Sequence, residues 1–163
     1  MENGIKRDIR LVGLDLDGTV FTDEKTITPA TRDAIARAVR AGVAVLPVTG
    51  RPRSGLPEEV LAIPGVRYAI TSNGAMCEDL AEDKVLVRLA MDEETAMRAL
   101  RIAEKYDVVI DIYIDGQAYT AADSMRLVQT HVPENFRPYF LKTRRLVEDR
   151  GRFLRQTGRG AEK

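Results

Sequence analysis

Arg10-Leu11-Val12-Gly13-Leu14-Asp15-Leu16-Asp17-Gly18-Thr19-Val20 is a short apolar run that ends abruptly in two carboxylates and a glycine. Apolar runs of this length, bounded by turn residues, predict a strand buried on both faces. Two acids at the C-terminal end of such a strand are costly to hold unless a cation or a reaction uses them. In open α/β sheets that end of the strand is where ligands bind. Asp15 can present its carboxylate there as a nucleophile toward phosphorus, splitting one hard hydrolysis into two easier steps. Asp17 points the same way in an extended chain. It can protonate a leaving oxygen and then deprotonate the attacking water. Gly18 permits a sharp turn and a close approach of backbone N–H groups to an anion. Two carboxylates this close repel, which implies a hard cation such as Mg²⁺. An EF-hand loop would need glycine sixth and glutamate twelfth. Counted from Asp15, Gly18 is fourth and Thr26 is twelfth. A plain surface turn seldom follows a run as apolar as Leu11–Leu14.

Working outward, Val20 to Ile27 has apolar ends around a polar centre and predicts a small hairpin turning near Asp23–Lys25, placed as a flap over the site. Thr28-Pro29 opens a helix, with Thr28 as N-cap, an apolar face at Ile35 and Val39, and a stop at Gly42. Val43 to Val48 predicts a second buried strand, with Pro47 near its end. The β–α–β spacing makes it a parallel neighbour of the first strand. Thr49 then sits beside Asp15, where its hydroxyl and the Gly50 N–H can bind a phosphoryl oxygen. The alternative for Thr49 is a helix cap in an ordinary turn. Arg51 either touches phosphate or faces solvent. Tyr68 to Thr71 predicts a third strand, leading into Ser72-Asn73-Gly74-Ala75. Gly74 suits a tight turn, and Asn73 either shapes that turn or faces substrate.

Asp15-Leu16-Asp17-Gly18-Thr19 resembles motif I, DxDGT, of the haloacid dehalogenase (HAD) superfamily of phosphatases. Thr49-Gly50-Arg51 matches motif II of its Cof-type members, and Ser72-Asn73-Gly74-Ala75 is similar to the signature that precedes their α/β cap. The resemblance covers roughly Ile9 to Thr120. It implies an α/β fold: the N-terminal part of a Rossmann-like HAD core with a parallel sheet, plus a partial α/β cap. The expected division is residues 1–77 for the core part and 78–163 for the cap. It further implies Asp15 and Asp17 as catalytic residues and Mg²⁺ ligands, and Thr49, Gly50, Arg51 and Asn73 as substrate-binding residues.

The cap-like region supports this division. Lys84 to Leu89 predicts an antiparallel strand. Asp92 caps a helix from Glu93 to about Tyr106. Asp107 to Ile114 predicts a strand, Asp115-Gly116 a hairpin turn, and Gln117 to Thr120 the returning strand. Such a cap excludes water and selects substrate. Ala122 to Thr130 predicts a helix. His131, the only histidine, has no metal-ligand partner nearby in sequence and suits surface or packing. Leu141 to Lys163 holds eight Lys/Arg against three acids. That excess suits an anionic partner or, more commonly, a solvated helix face, and no aromatic interleaving points to nucleic acid.

At 163 residues the chain can bury one core and part of another. Its 25 basic and 25 acidic side chains cancel, leaving no whole-chain case for nucleic acid or anionic membrane. Cys77 is the only cysteine, so no intrachain disulfide can form and a reducing compartment is expected. No apolar run reaches membrane-spanning length, and the polar stretch Met1–Arg10 lacks a signal-peptide core. A cytoplasmic protein, compatible with an oligomer, is expected to act on a small phosphorylated metabolite such as a sugar phosphate. The family's post-cap lysine (motif III) and GDxxND acids (motif IV) have no counterpart here. The chain therefore reads as ending within the cap, and the alternative expectation is a non-catalytic remnant or interaction module.

Overall fold

The Leu11–Leu14 run is a strand, β1, and it pairs in parallel with β2, Ala44–Pro47. The computed structural model describes residues 8–163; residues 1–7 of the polar N-terminal stretch lie outside the described residues. Between the two strands runs α1, Pro29–Arg40, whose Thr28 hydroxyl accepts from the Thr31 N–H at 3.1 Å, as an N-cap should. Pro47 closes β2, where its missing N–H costs the ladder nothing. After α2, Glu58–Leu61, comes β3, Tyr68–Thr71. A parallel bridge between Val48 and Ile70 places β3 beside β2. The predicted parallel half-sheet is therefore present.

Two departures from expectation follow in this half. Val20 to Ile27 is not a hairpin. The chain makes a tight turn closed by Thr22 and Thr26. Val20, Phe21 and Ile27 pack into the core, so the ends bury their side chains rather than pair as strands. Next, β4 (Met76–Asp79) follows β3 directly as an antiparallel partner and leads to β5, Lys84–Arg88. The polar Glu78-Asp79 pair hid this strand. Both acids are buried, with Asp79 bonded to Arg67 at 2.6 Å and Glu78 accepting from the Thr71 hydroxyl at 3.2 Å.

The remaining chain builds a second layer. Asp92 caps α3, Glu93–Ala103, as predicted. The strand predicted over residues 107–114 is shorter: β6 is Asp111–Ile114. Ile110 is held instead by hydroxyls, its N–H donating to Ser124 and its carbonyl accepting from Thr120 and Ser124. Asp115 (φ 50°) and Gly116 (φ 71°) form the expected turn into β7, Gln117–Thr120. Then come α4 (Ala122–His131), α5 (Arg137–Thr143), β8 (Arg144–Leu146) and α6 (Arg150–Thr157). β8 lies parallel to β7, so part of the basic C-terminal stretch is sheet rather than solvated helix. Ile112, Ile114, Leu154 and Ala161 share a core under this sheet, separate from the Leu16–Ile35–Val45 core beside β1.

Candidate active site

β1 and β2 end side by side because their main chains pair in register up to Leu14 and Pro47. The Val48 N–H then donates to the Leu14 carbonyl at 2.8 Å, which sets Thr49 next to the turn carrying Asp15. Asp15, Asp17, Thr49, Gly50 and Arg51 line one cavity of about 390 Å³. The sequence expectation that residues 15 and 49 meet at one rim is met.

Asp15 leaves β1 with an extended backbone and an exposed side chain. The chain then makes a wide turn over Leu16–Val20, closed by the Phe21 N–H on the Leu16 carbonyl at 2.9 Å. Gly18 sits at φ +79°, a left-handed conformation that a side chain would strain. Leu16 and Val20 point into the core and anchor the turn, leaving the two acids on the cavity side.

Asp17 is held on both oxygens. Arg51 donates through Nε to Oδ2 at 2.8 Å and through Nη2 to Oδ1 at 2.8 Å; Lys25 Nζ reaches Oδ1 at 3.1 Å. The hydrogen bonds from Arg51, seconded by Lys25, hold Asp17 below the usual carboxylate range. Arg51 is only 6% exposed. Its guanidinium lies over the Tyr139 ring at 4.1 Å and near the Phe21 ring at 5.4 Å. The sequence reading offered phosphate or solvent as partners for Arg51; in this structure its partner is Asp17.

Thr49 is buried, and its Oγ1 accepts from the Arg51 N–H at 3.2 Å. The hydroxyl proton is therefore still available to an anion in the cavity. Gly50 has a packing reason: a Cβ there would collide with the Asn73 side-chain oxygen. Asn73 adopts φ +58°, and its N–H donates to the Thr49 carbonyl at 3.2 Å. It backs the Thr49–Gly50 turn from outside the cavity wall.

Several wall residues had no sequence signal strong enough to single them out. Lys25, Tyr113, Phe136, Tyr139, Arg144 and Lys163 line the same cavity. Burial pushes the Tyr113 hydroxyl up to about 12. The basic excess after Leu141 is the one usable hint in the sequence. Arg144 is tied down by Asp111 at 2.8 Å, Tyr113 at 3.2 Å and Thr143 at 2.7 Å. His131 contacts Thr130 and Asp107 and is not among the residues lining this cavity.

Among the described residues, no group of three or more His, Cys, Asp or Glu side chains converges as a metal cage. The exposed Asp15 carboxylate, with Asp17 lining the same cavity, still offers hard oxygen donors. Mg²⁺ commonly binds through one or two such protein ligands, with water and substrate oxygens completing the shell. The residues therefore fit Mg²⁺ as a partly hydrated ion.

A family model described as haloacid dehalogenase-like hydrolase matches residues 12–150. Pyridoxal phosphate phosphatase YbhA of Escherichia coli (strain K12) is 28% identical over 144 residues, covering 85% of this chain and 53% of that protein. A haloacid dehalogenase-like hydrolase from B. subtilis superposes with a TM-score of 0.73 at 19% identity, covering 89% of this chain and 56% of that one. A HAD subclass IIB sugar phosphatase superposes equally, with a TM-score of 0.73 at 18% identity over 93% of this chain and 56% of that one. The two structural likenesses show the fold. The chain spans about half the length of the curated relatives it matches. No helix among the described residues is long and apolar enough to cross a membrane.

Proposed function

This chain belongs to the haloacid dehalogenase-like hydrolase family, and from that premise we propose that it serves a Mg²⁺-dependent phosphohydrolase working through an aspartyl-phosphate. The substrate class is a small phosphorylated metabolite, sugar-phosphate-like in size. The observation that carries the reading is the shared cavity: an open Asp15 carboxylate with Thr49 and Gly50 alongside and the Asp17-bound Arg51 and Lys25 on the same wall. Residues 1–77 are taken as the half of the core bearing the site and residues 78–163 as part of the cap; a cytoplasmic setting suits the lone cysteine.

Each residue then has a task. An Asp15 oxygen attacks phosphorus while the ester P–O bond breaks, and the leaving oxygen takes a proton from Asp17. Water then attacks the aspartyl-phosphate, gives its proton to Asp17, and frees phosphate and Asp15. The Thr49 hydroxyl and Gly50 N–H donate to phosphoryl oxygens. Mg²⁺, held by Asp15 and the Asp17 main chain, would supply charge neutralisation for a dianion near a carboxylate. With Arg51 and Lys25 on it, Asp17 is kept ionised, which suits taking a proton. An arriving phosphate dianion competes for those same two cations, and their release lets Asp17 hold the proton it must donate.

Phosphate release from p-nitrophenyl phosphate with Mg²⁺ tests the reading. Asp15→Asn is expected to lower kcat by about 10³ or more, as removal of a nucleophile does. A variant as active as the parent removes Asp15 from that role.

A further inference from the structure

The cap side of the cavity carries more positive charge than a single phosphate group needs. Arg51 and Lys25 are paired with Asp17, and Arg144 with Asp111. Lys163 lines the same cavity and, among the described residues, has no carboxylate within ion-pair distance. Its place is set by main-chain bonds to β6. The Tyr113 N–H donates to the Lys163 carbonyl at 2.9 Å, and the Glu162 N–H to the Tyr113 carbonyl at 2.8 Å. The Glu162 side chain, fully buried, takes Arg88 Nε at 2.6 Å and the Asp115 N–H at 3.1 Å. The Lys163 ammonium stands 5.1 Å from the Tyr113 ring centroid.

Arg144 stands beside it with capacity to spare. Three of its N–H groups are engaged, by Asp111, Tyr113 and Thr143. A guanidinium has five, so one donor on each terminal nitrogen is uncommitted. Arg144 is walled by the Phe140 ring at 4.5 Å and the Tyr139 ring at 5.2 Å. Tyr139 also stacks on Arg51, so one ring holds two like charges apart within one cavity wall. A cavity walled by aromatic rings, with the unpaired Lys163 ammonium beside the spare N–H donors of Arg144, concentrates field on an anion.

We propose that Lys163 and Arg144 form a second anion subsite, so that the substrate is a phosphate monoester whose organic part carries a further carboxylate or phosphate. This deepens the phosphohydrolase reading and rests on it: Asp15, Thr49 and Gly50 take the phosphoryl group that reacts, and the cap pair takes the other charge. Lys163 and Arg144 are specificity residues here, with no part in bond making.

Calorimetric titration of the 163-residue chain with Mg²⁺ and non-hydrolysable probes tests this. Propylphosphonate carries one anionic group; 3-phosphonopropionate and 1,3-propylenediphosphonate add a carboxylate or a second phosphonate. The doubly charged probes are expected to bind about ten- to hundredfold tighter than propylphosphonate, as one charge-assisted contact supplies. Whichever of the two gains more identifies the second group. Lys163→Gln should erase the advantage and leave propylphosphonate binding unchanged. Arg144→Gln should do the same where circular dichroism shows it folded; Lys163→Gln leaves every Asp111 contact intact and decides the matter if Arg144→Gln does not fold. No advantage in the parent, or an advantage that survives Lys163→Gln, overturns the subsite. Failure of the parent to bind any of the three probes instead overturns the phosphate site beneath it.

Discussion

Asp15 and Asp17 lie two positions apart and have opposite surroundings. Asp15 is exposed on the cavity wall, whereas Asp17 is clamped by a buried guanidinium and an ammonium. A pair of close carboxylates avoids mutual repulsion when one is neutralised by fixed cations and the other is left for an external ligand. Arg51 carries most of this difference, and its removal should show it. In a ¹³C NMR titration, the Asp17 carboxyl is expected to titrate below 3.8 in the parent and to move back up in Arg51→Gln. The stability this depressed carboxylate contributes is present above about 3.8, its unfolded value, and is lost as pH falls through the lower folded value. Arg51→Gln should therefore flatten the acid side of the stability profile. An Asp17 midpoint that does not move would show that Arg51 is not what depresses it.

Among the elements, β4 and β8 escaped prediction for the same reason. Both are short and carry charged residues, which usually face water. Here three of those charges are buried with a partner: Asp79 with Arg67, Glu78 with Thr71 and Arg53, Arg144 with Asp111; Arg145 of β8 stays exposed. Glu78 is the least compensated. Burial raises it above its usual value of 4.5, and Arg53 at 3.7 Å only partly opposes this. A carboxylate raised on folding binds more protons in the native state, so stability falls as pH rises from 4.5 through its folded value. Glu78→Gln removes that loss and can keep the Thr71 contact. Thermal melts should show the variant gaining on the parent between pH 4 and pH 7. A Tm difference independent of pH would mean that Glu78 is ionised in the fold at no cost. The turn at Thr22–Thr26 teaches the converse lesson. Its apolar flanks were read as strand ends, yet they are core anchors that lower Lys25 toward Asp17.

Among the described residues the molecule has three apolar cores, and the half of the chain around Leu16 and Val45 touches the half that holds the other two. The contact between them is specific: the Ser54 N–H donates to the Gly116 carbonyl at 2.9 Å, and Gly55 leaves room for the Tyr139 hydroxyl, which a Cβ would strike. On the far side, β1 pairs with β2 alone among the described residues, and Leu11 is 62% exposed on it. A strand this apolar with one open edge is a template for pairing with another chain. Sedimentation velocity is expected to show concentration-dependent association of the parent and a shift toward monomer in Leu11→Lys, because a lysine on an edge strand opposes pairing. Identical sedimentation of the two would clear β1 of that role.

The parallel β–α–β unit, its helix cap, the Asp115–Gly116 hairpin and the convergence of Asp15 with Thr49 were all legible in the chain, because each follows from local spacing and turn chemistry. Contacts across long separations in sequence were not. Arg51 meets Asp17 across 34 positions, Arg144 meets Asp111 across 33, and Glu162 meets Arg88 across 74. No local pattern records which cation will neutralise which acid, since charge attraction has no periodicity and the pairing is chosen by how the cores pack. Local order named the candidate groups; only the folded arrangement showed what surrounds them.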